Sequence, residues 1–306
     1  MVMDTKTKII LGSIGAAAFI GGIAWMASGG AKPAPAKLPG GEGGTGTSDE
    51  VPVPLPPAKN FNPDDWDGDL PLPTASDVQG DLTTNWGKTP TEMRPLFLLA
   101  EQSSGIRGAG RILALIAKRE SGFVMTAHND SEGEVKASYN AYSSNKDKRP
   151  ELKYGLAAAG FGSGGLFGLL APYFLWTGYN EVKGKAPLLA AEPQVMFFPR
   201  LAVFAGLVYM QRILANYDVR DIPEIKAGWA TPAYLSDPPK GSRGSKGYNE
   251  TRQRFANDIA ALGIDINALP PIEQLRQDAK KAWAGVLPVF AKVVGPTIPT
   301  RKVLQA

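Results

Sequence analysis

The stretch Arg111-Ile112-Leu113-Ala114-Leu115-Ile116-Ala117-Lys118-Arg119-Glu120-Ser121-Gly122-Phe123 decides how the chain is read. Leu113, Ile116, Ala117 and Glu120 fall at i, i+3, i+4 and i+7, so the spacing predicts a helix over 111–120 with an acid on its apolar stripe. Lys118 and Arg111 lie on the far side of that helix. Glu120 stands at the C-terminal end, where the helix dipole disfavours a negative charge. An apolar face and an unfavourable dipole both favour the protonated acid at neutral pH. The competing reading is a glutamate solvated beside Lys118 and Arg119.

Outward from this helix the texture stays helical. Arg94 to Gln102 predicts a short helix, broken around Ser103 to Gly110. Gly155 to Trp176 is free of charge but holds six glycines and Pro172, which marks buried core and loop rather than a membrane span. Its Gly160-Phe-Gly-Ser-Gly-Gly segment has no following Lys-Ser/Thr, so it is not a phosphate cradle. Leu201 to Met210 belongs to a central core helix. Glu273 to Lys281 predicts a polar helix, followed by an apolar tail with basic edges that could pack on the domain, touch a membrane surface or dock a partner. Lys240 to Gly247 reads as a basic flexible loop.

Towards the N-terminus, Ile9 to Ala27 gives nineteen uncharged positions, nearly enough to span a bilayer core of about 30 Å. Lys6 and Lys8 precede it and no basic residue follows until Lys32, which places the N-terminus in the cytoplasm and the remainder outside. A retained anchor is the reading adopted; a cleaved signal peptide is the alternative. Gly29 to about Pro57 is rich in Gly and Pro and predicts a disordered leash. Asp64 to Asp69 lacks the terminal Glu of a calcium loop and reads as a solvated turn. The chain has no cysteine, which excludes disulfides, thiolate metal sites and a cysteine nucleophile. Its single histidine, His128, excludes a multi-histidine zinc site. No metal or cofactor is expected. A net charge of +4 suits a polyanionic wall, nucleic acid or an anionic bilayer equally, but no basic-aromatic stripe points to nucleic acid.

Glu120-Ser121-Gly122-Phe123, with Ala127 and Asn129 following, resembles the signature of the soluble lytic transglycosylases, which cleave peptidoglycan glycan strands. Gly165-Leu166-Phe167-Gly168 resembles that family's Gly-Leu-Met-Gln block, and Gly206 to Met210 its Gly-x-x-Tyr-Leu element on the core helix. The resemblance covers roughly residues 90–260 in the family's order. It implies a lysozyme-like helical fold in which Glu120 is the sole acid/base, a buried acid suited to protonating a glycosidic oxygen. It implies that Ser121 holds the turn and that Gly165, Leu166 and Phe167 line the glycan site with Asn129 and Tyr209. The product would carry a 1,6-anhydromuramyl end, formed without water. Gly168 departs from the family's Gln, and Gly165 follows Glu120 by 45 positions, longer than the family pattern. The tyrosine expected to face the acid is not evident; Tyr234 or Tyr248 could replace it.

The chain is therefore expected to be mostly α-helical: an anchor at 1–28, a linker at 29–88, a lysozyme-like domain at 89–262 and a helical tail at 263–306. The segment 130–162 is an insert that could form a lid, an extra wall or a surface excursion. Asp130, Glu132 and Glu134 leave open a two-carboxylate muramidase. A non-catalytic assembly protein of an envelope or phage virion is the other alternative. Peptidoglycan and a membrane are the expected partners.

Overall fold

The computed structural model describes residues 62–67, 71–145, 161–170, 193–235, 243–282, 286–295 and 300–301. The expected anchor at Ile9–Ala27 and the expected leash after it lie outside these residues. The described chain is mostly helical. It contains α1 (Arg94–Ser104), α2 (Ala109–Ser121), α3 (Glu132–Asn145), α4 (Pro199–Asn216), α5 (Ile222–Ala230), α6 (Lys246–Leu262), α7 (Ile272–Ala282) and α8 (Val286–Val293). No helix among the described residues is long and apolar enough to cross a membrane.

Helix α4 is the axis of the body. Every residue from Leu201 to Leu214 is buried, as an all-round apolar helix requires. It packs against α1, α2, α5, α7 and α8. Gln211, buried on α4, donates to the Ala279 carbonyl of α7 at 3.3 Å and so offsets the cost of its own burial.

Helix α2 crosses α1 closely. A Cβ on Gly110 would lie 2.7 Å from the Phe97 carbonyl oxygen, so only glycine permits that approach. Glu101 of α1 caps the start of α2, accepting from the Gly108 and Gly110 amides at 2.9 and 3.0 Å. Arg111 joins this carboxylate at 3.3 Å and lies 4.2 Å over the Trp86 ring. The arginine expected on the solvated side is thus largely covered, although Lys118 is exposed.

One apolar core runs through both expected domain boundaries. Trp66 and Trp86 on one side, and Leu275, Ala279 and Val293 on the other, belong to the same cluster as Leu113 and Phe204. Trp66 meets Phe198 edge-on at 5.4 Å. Trp66 and Trp86, with Leu72, Val78 and Leu82, therefore pack on the core although most residues between them are exposed, and the helices after 263 pack on the domain. Strand β1 (Trp66–Asp67) pairs antiparallel with β5 (Thr300–Arg301), with Trp66 opposite Arg301.

A second sheet is formed by β2 (His128–Asn129), β3 (Ser163–Gly164) and β4 (Leu169–Leu170), antiparallel in that order. Helix α3, at the start of the expected insert, packs on β3 and β4 and buries Ala137 and Ser138. This part of the insert is a wall against the sheet, not a loose excursion.

Candidate active site

Helix α2 ends where the sequence places its acid. Gly122 adopts φ +62° and its amide donates to the Lys118 carbonyl at 3.2 Å, a left-handed stop that glycine allows cheaply. Phe123 follows at φ +72°, a conformation costing a non-glycine residue about 1–2 kcal/mol. Its ring packs 6.4 Å from Phe97, which holds the turn. The Ser121 hydroxyl donates to the Leu166 carbonyl at 2.8 Å, with the Ala117 carbonyl at 3.1 Å. Ser121 thus ties the end of α2 to the β3–β4 turn.

That turn brings bare backbone against the acid. Gly168, at φ +57°, lies so close that a Cβ there would stand 3.0 Å from Glu120 Oε2. The position where the resembled family carries Gln is therefore one that admits no side chain without disturbing Glu120. Gly165 plays a different part: a Cβ on it would meet the Met196 carbonyl oxygen at 2.6 Å. Gly165, expected to line the glycan site, is thus packed on Met196, and the turn glycine beside Glu120 is Gly168.

Glu120 keeps 21% of its side chain exposed, and its apolar neighbours Leu113, Ile116 and Ala117 are fully buried. It is not, however, an isolated acid. The Lys226 ammonium, on α5, lies 2.7 Å from Glu120 Oε1 with only 7% of its own side chain exposed. This corrects the expectation of an uncompensated acid, since a nearly buried ammonium is in contact with the carboxyl group. Sequence reasoning missed Lys226. The only hint was a lone cation in the apolar run Ile222–Ala230, and pairing with Glu120 is a long-range contact that local periodicity does not encode.

A second carboxylate stands near. Glu134 of α3 is raised above the ordinary glutamate value by burial, against which a hydrogen bond from Ser163 acts, and the charge of Glu120 pushes it further up. Of the three acids near the motif, Asp130 and Glu132 are exposed and Glu134 is the half-buried one.

The other expected site residues are placed as follows. Leu166 and Phe167 are buried, and Phe167 fits against Gly206, where a Cβ would meet its ring at 2.8 Å, and 5.7 Å from the Trp229 ring. Any ligand contact there would go through backbone. Tyr209 is buried with its hydroxyl donating to the Trp229 carbonyl at 3.3 Å, and burial pushes its phenol far above the ordinary value. Asn129 lies on β2 and accepts from the Ser131 amide at 3.2 Å, turning the chain into α3. Tyr234 packs 6.0 Å from Tyr248 with its hydroxyl against Gly247. Tyr248 in turn donates to buried Glu224, which Arg243 also engages at 3.2 Å. Both candidate replacement tyrosines thus sit at this second polar cluster. His128 Nε2 lies 2.7 Å from the Phe161 carbonyl and its ring packs 4.3 Å from that of Phe161. No group of side chains among the described residues could hold a metal ion.

Comparison with family models, with curated proteins and with solved structures finds no match to this chain.

Proposed function

We propose that this chain is a lysozyme-like, membrane-anchored lytic transglycosylase that cuts the β-1,4 bond between the amino sugars of peptidoglycan, with Glu120 as the reacting acid/base. The observation that carries this reading is the setting of Glu120. A partly exposed carboxyl group ends a buried helix, braced by Ser121 and faced by the bare backbone of Gly168. A sugar approaching past Gly168 meets backbone rather than a side chain. The reaction asks for one group that protonates the leaving oxygen and then takes the C6 hydroxyl proton as that oxygen closes on C1. Nothing in it requires water, a metal or a cofactor.

A hydrolytic muramidase is the second reading, and Glu134 is what favours it, since its electrostatic coupling to Glu120 supplies a carboxylate pair. Digestion of purified sacculi with the full-length chain beside Glu120→Gln, with products read by mass spectrometry, separates the possibilities. Anhydromuropeptides from the native chain alone support the transglycosylase. Reducing ends support the muramidase. No product from a folded native chain supports a non-catalytic glycan-binding or assembly protein.

A further inference from the structure

The two oxygens of the Glu120 carboxyl group have different surroundings. Oε1 lies 2.7 Å from the Lys226 ammonium, whereas Oε2 is the atom nearest the bare backbone of Gly168, 3.0 Å from where a Cβ would stand there. An ammonium fixes one oxygen of a carboxyl group only if its own flexible stem is fixed. The Lys226 side chain is 7% exposed and stands on a helix fastened at both ends. At the start of α5 the Asp221 side chain accepts from the Glu224 amide at 2.8 Å. The buried Glu224 carboxylate accepts from the Arg220 amide at 2.8 Å, from Arg243 and from Tyr248. At the other end the Trp229 ring meets that of Tyr209 edge-on at 4.8 Å, and a Cβ on Gly228 would stand 2.4 Å from Leu235 Cδ1.

The cations adjacent to Glu120 in sequence point elsewhere: Arg119 pairs with Asp258 of α6 at 3.2 Å, and Lys118 is exposed. The contact with Lys226 is poorly explained as a support for the fold, because desolvation offsets most of the attraction between ions withdrawn from water. What a charge-assisted hydrogen bond from a fixed donor does supply is direction. A carboxyl group free to turn about its last bond exchanges its two oxygens. A donor held on Oε1 stops that exchange and keeps Oε2 towards Gly168.

The geometry points to Lys226 as a positioning residue that holds Glu120 by Oε1 and presents Oε2, beside Gly168, as the oxygen that reacts. This rests on Glu120 being the acid/base of the proposed reaction. In turnover the proton carried on Oε2 passes to the glycosidic oxygen as the bond from C1 to that oxygen breaks. The C6 hydroxyl oxygen bonds to C1, and its proton passes to Oε2. The Lys226 ammonium stays on Oε1 throughout and moves no proton. The charge that forms on Glu120 between the two transfers thus arises beside a cation already in place.

The test reads position and rate separately, on the full-length chain. Position is read by NMR, from three-bond couplings along the Glu120 side chain in carbon-labelled glutamate, assigned with Glu120→Gln; they tell a single rotamer from an average. Rate is read as kcat and KM for anhydromuropeptide release from soluble glycan strands. The wild type should show one rotamer. Lys226→Met should average the couplings and lower kcat about a hundredfold with KM within about twofold, because a misplaced reacting group loses rate rather than binding. Lys226→Arg, which keeps a cation and a donor, should restore one rotamer and about a tenth or more of the wild-type kcat. A lysine that merely supports the fold would change Tm and leave the couplings alone. Averaged couplings in the wild type overturn the proposal, as does a folded Lys226→Met with one rotamer and unchanged kcat. If Lys226→Met does not fold, the wild-type couplings and Lys226→Arg decide. No product from the native chain, beside a rotamer that Lys226→Met releases, would sink the enzymatic reading and leave Lys226 as the group that holds Glu120. Products with couplings and kcat unchanged in Lys226→Met would do the reverse.

Discussion

Adding one carbon at Gly168 separates two costs that are usually mixed. Gly168→Ala places a side chain at φ +57°, and a left-handed residue other than glycine costs about 1–2 kcal/mol. The new Cβ would also stand 3.0 Å from Glu120 Oε2 and 3.5 Å from Glu120 Cβ, so the carboxylate must yield by a few tenths of an ångström. Pushing that side chain off its rotamer adds about 0.5–1.5 kcal/mol. The sum, about 1.5–3.5 kcal/mol, corresponds to a Tm loss of roughly 3–14 °C for a body of this size. Gly105→Ala is the control: it sits at φ +71° with nothing within 4 Å of its Cβ, so it carries the backbone cost alone. Thermal unfolding followed by circular dichroism gives both losses, and sacculus digestion gives the second readout. Gly168→Ala should lose about tenfold or more in product release, because small displacements of a reacting group are costly, while Gly105→Ala should retain activity. Equal destabilisation of the two variants, together with full activity in Gly168→Ala, would refute the assignment of Gly168 as the backbone facing the acid.

Trp86→Ala should cost about 3–5 kcal/mol in chemical denaturation, since a fully buried ring that also carries Arg111 is removed. A loss near zero would return residues 71–88 to the linker. Ser121→Ala should cost about 1 kcal/mol in the same assay by depriving the Leu166 carbonyl of its donor, and Ser121→Thr should keep most of it. Glu134→Gln should stabilise the protein at neutral pH. Because burial raises Glu134, the folded state favours its protonated form; the stability this lends is complete below the ordinary value of 4.5 and is lost as pH rises through the folded value. The variant's Tm advantage at pH 7 should therefore shrink as pH falls towards and below 4.5, and an advantage independent of pH would contradict it.

What the sequence made legible was what period and punctuation encode. The apolar stripe of α2 and its acid, the buried α4 and the polar α7 were all visible because each carries its signal within a few turns. The burial of residues 161–170 was readable from their lack of charge combined with too many glycines for a membrane span. The domain edges were not readable, because Trp66 and Trp86 are single aromatic anchors in polar, turn-rich surroundings that mimic a linker. Lys226 was illegible for a different reason. A lysine on an apolar helix reads as a solvated tip until the partner that buries it is known, and that partner lies on another helix.

The pairing of Trp66–Asp67 with Thr300–Arg301 joins the first and last strands among the described residues. Tension applied to the chain ahead of Trp66 would load this two-residue clasp first, and would reach α2 only after the clasp had let go. The clasp thus acts as a mechanical fuse between whatever holds the N-terminal side and the helix that carries Glu120. It also sets the geometry of any fusion: a tag attached after β5 would emerge beside the chain that enters at β1.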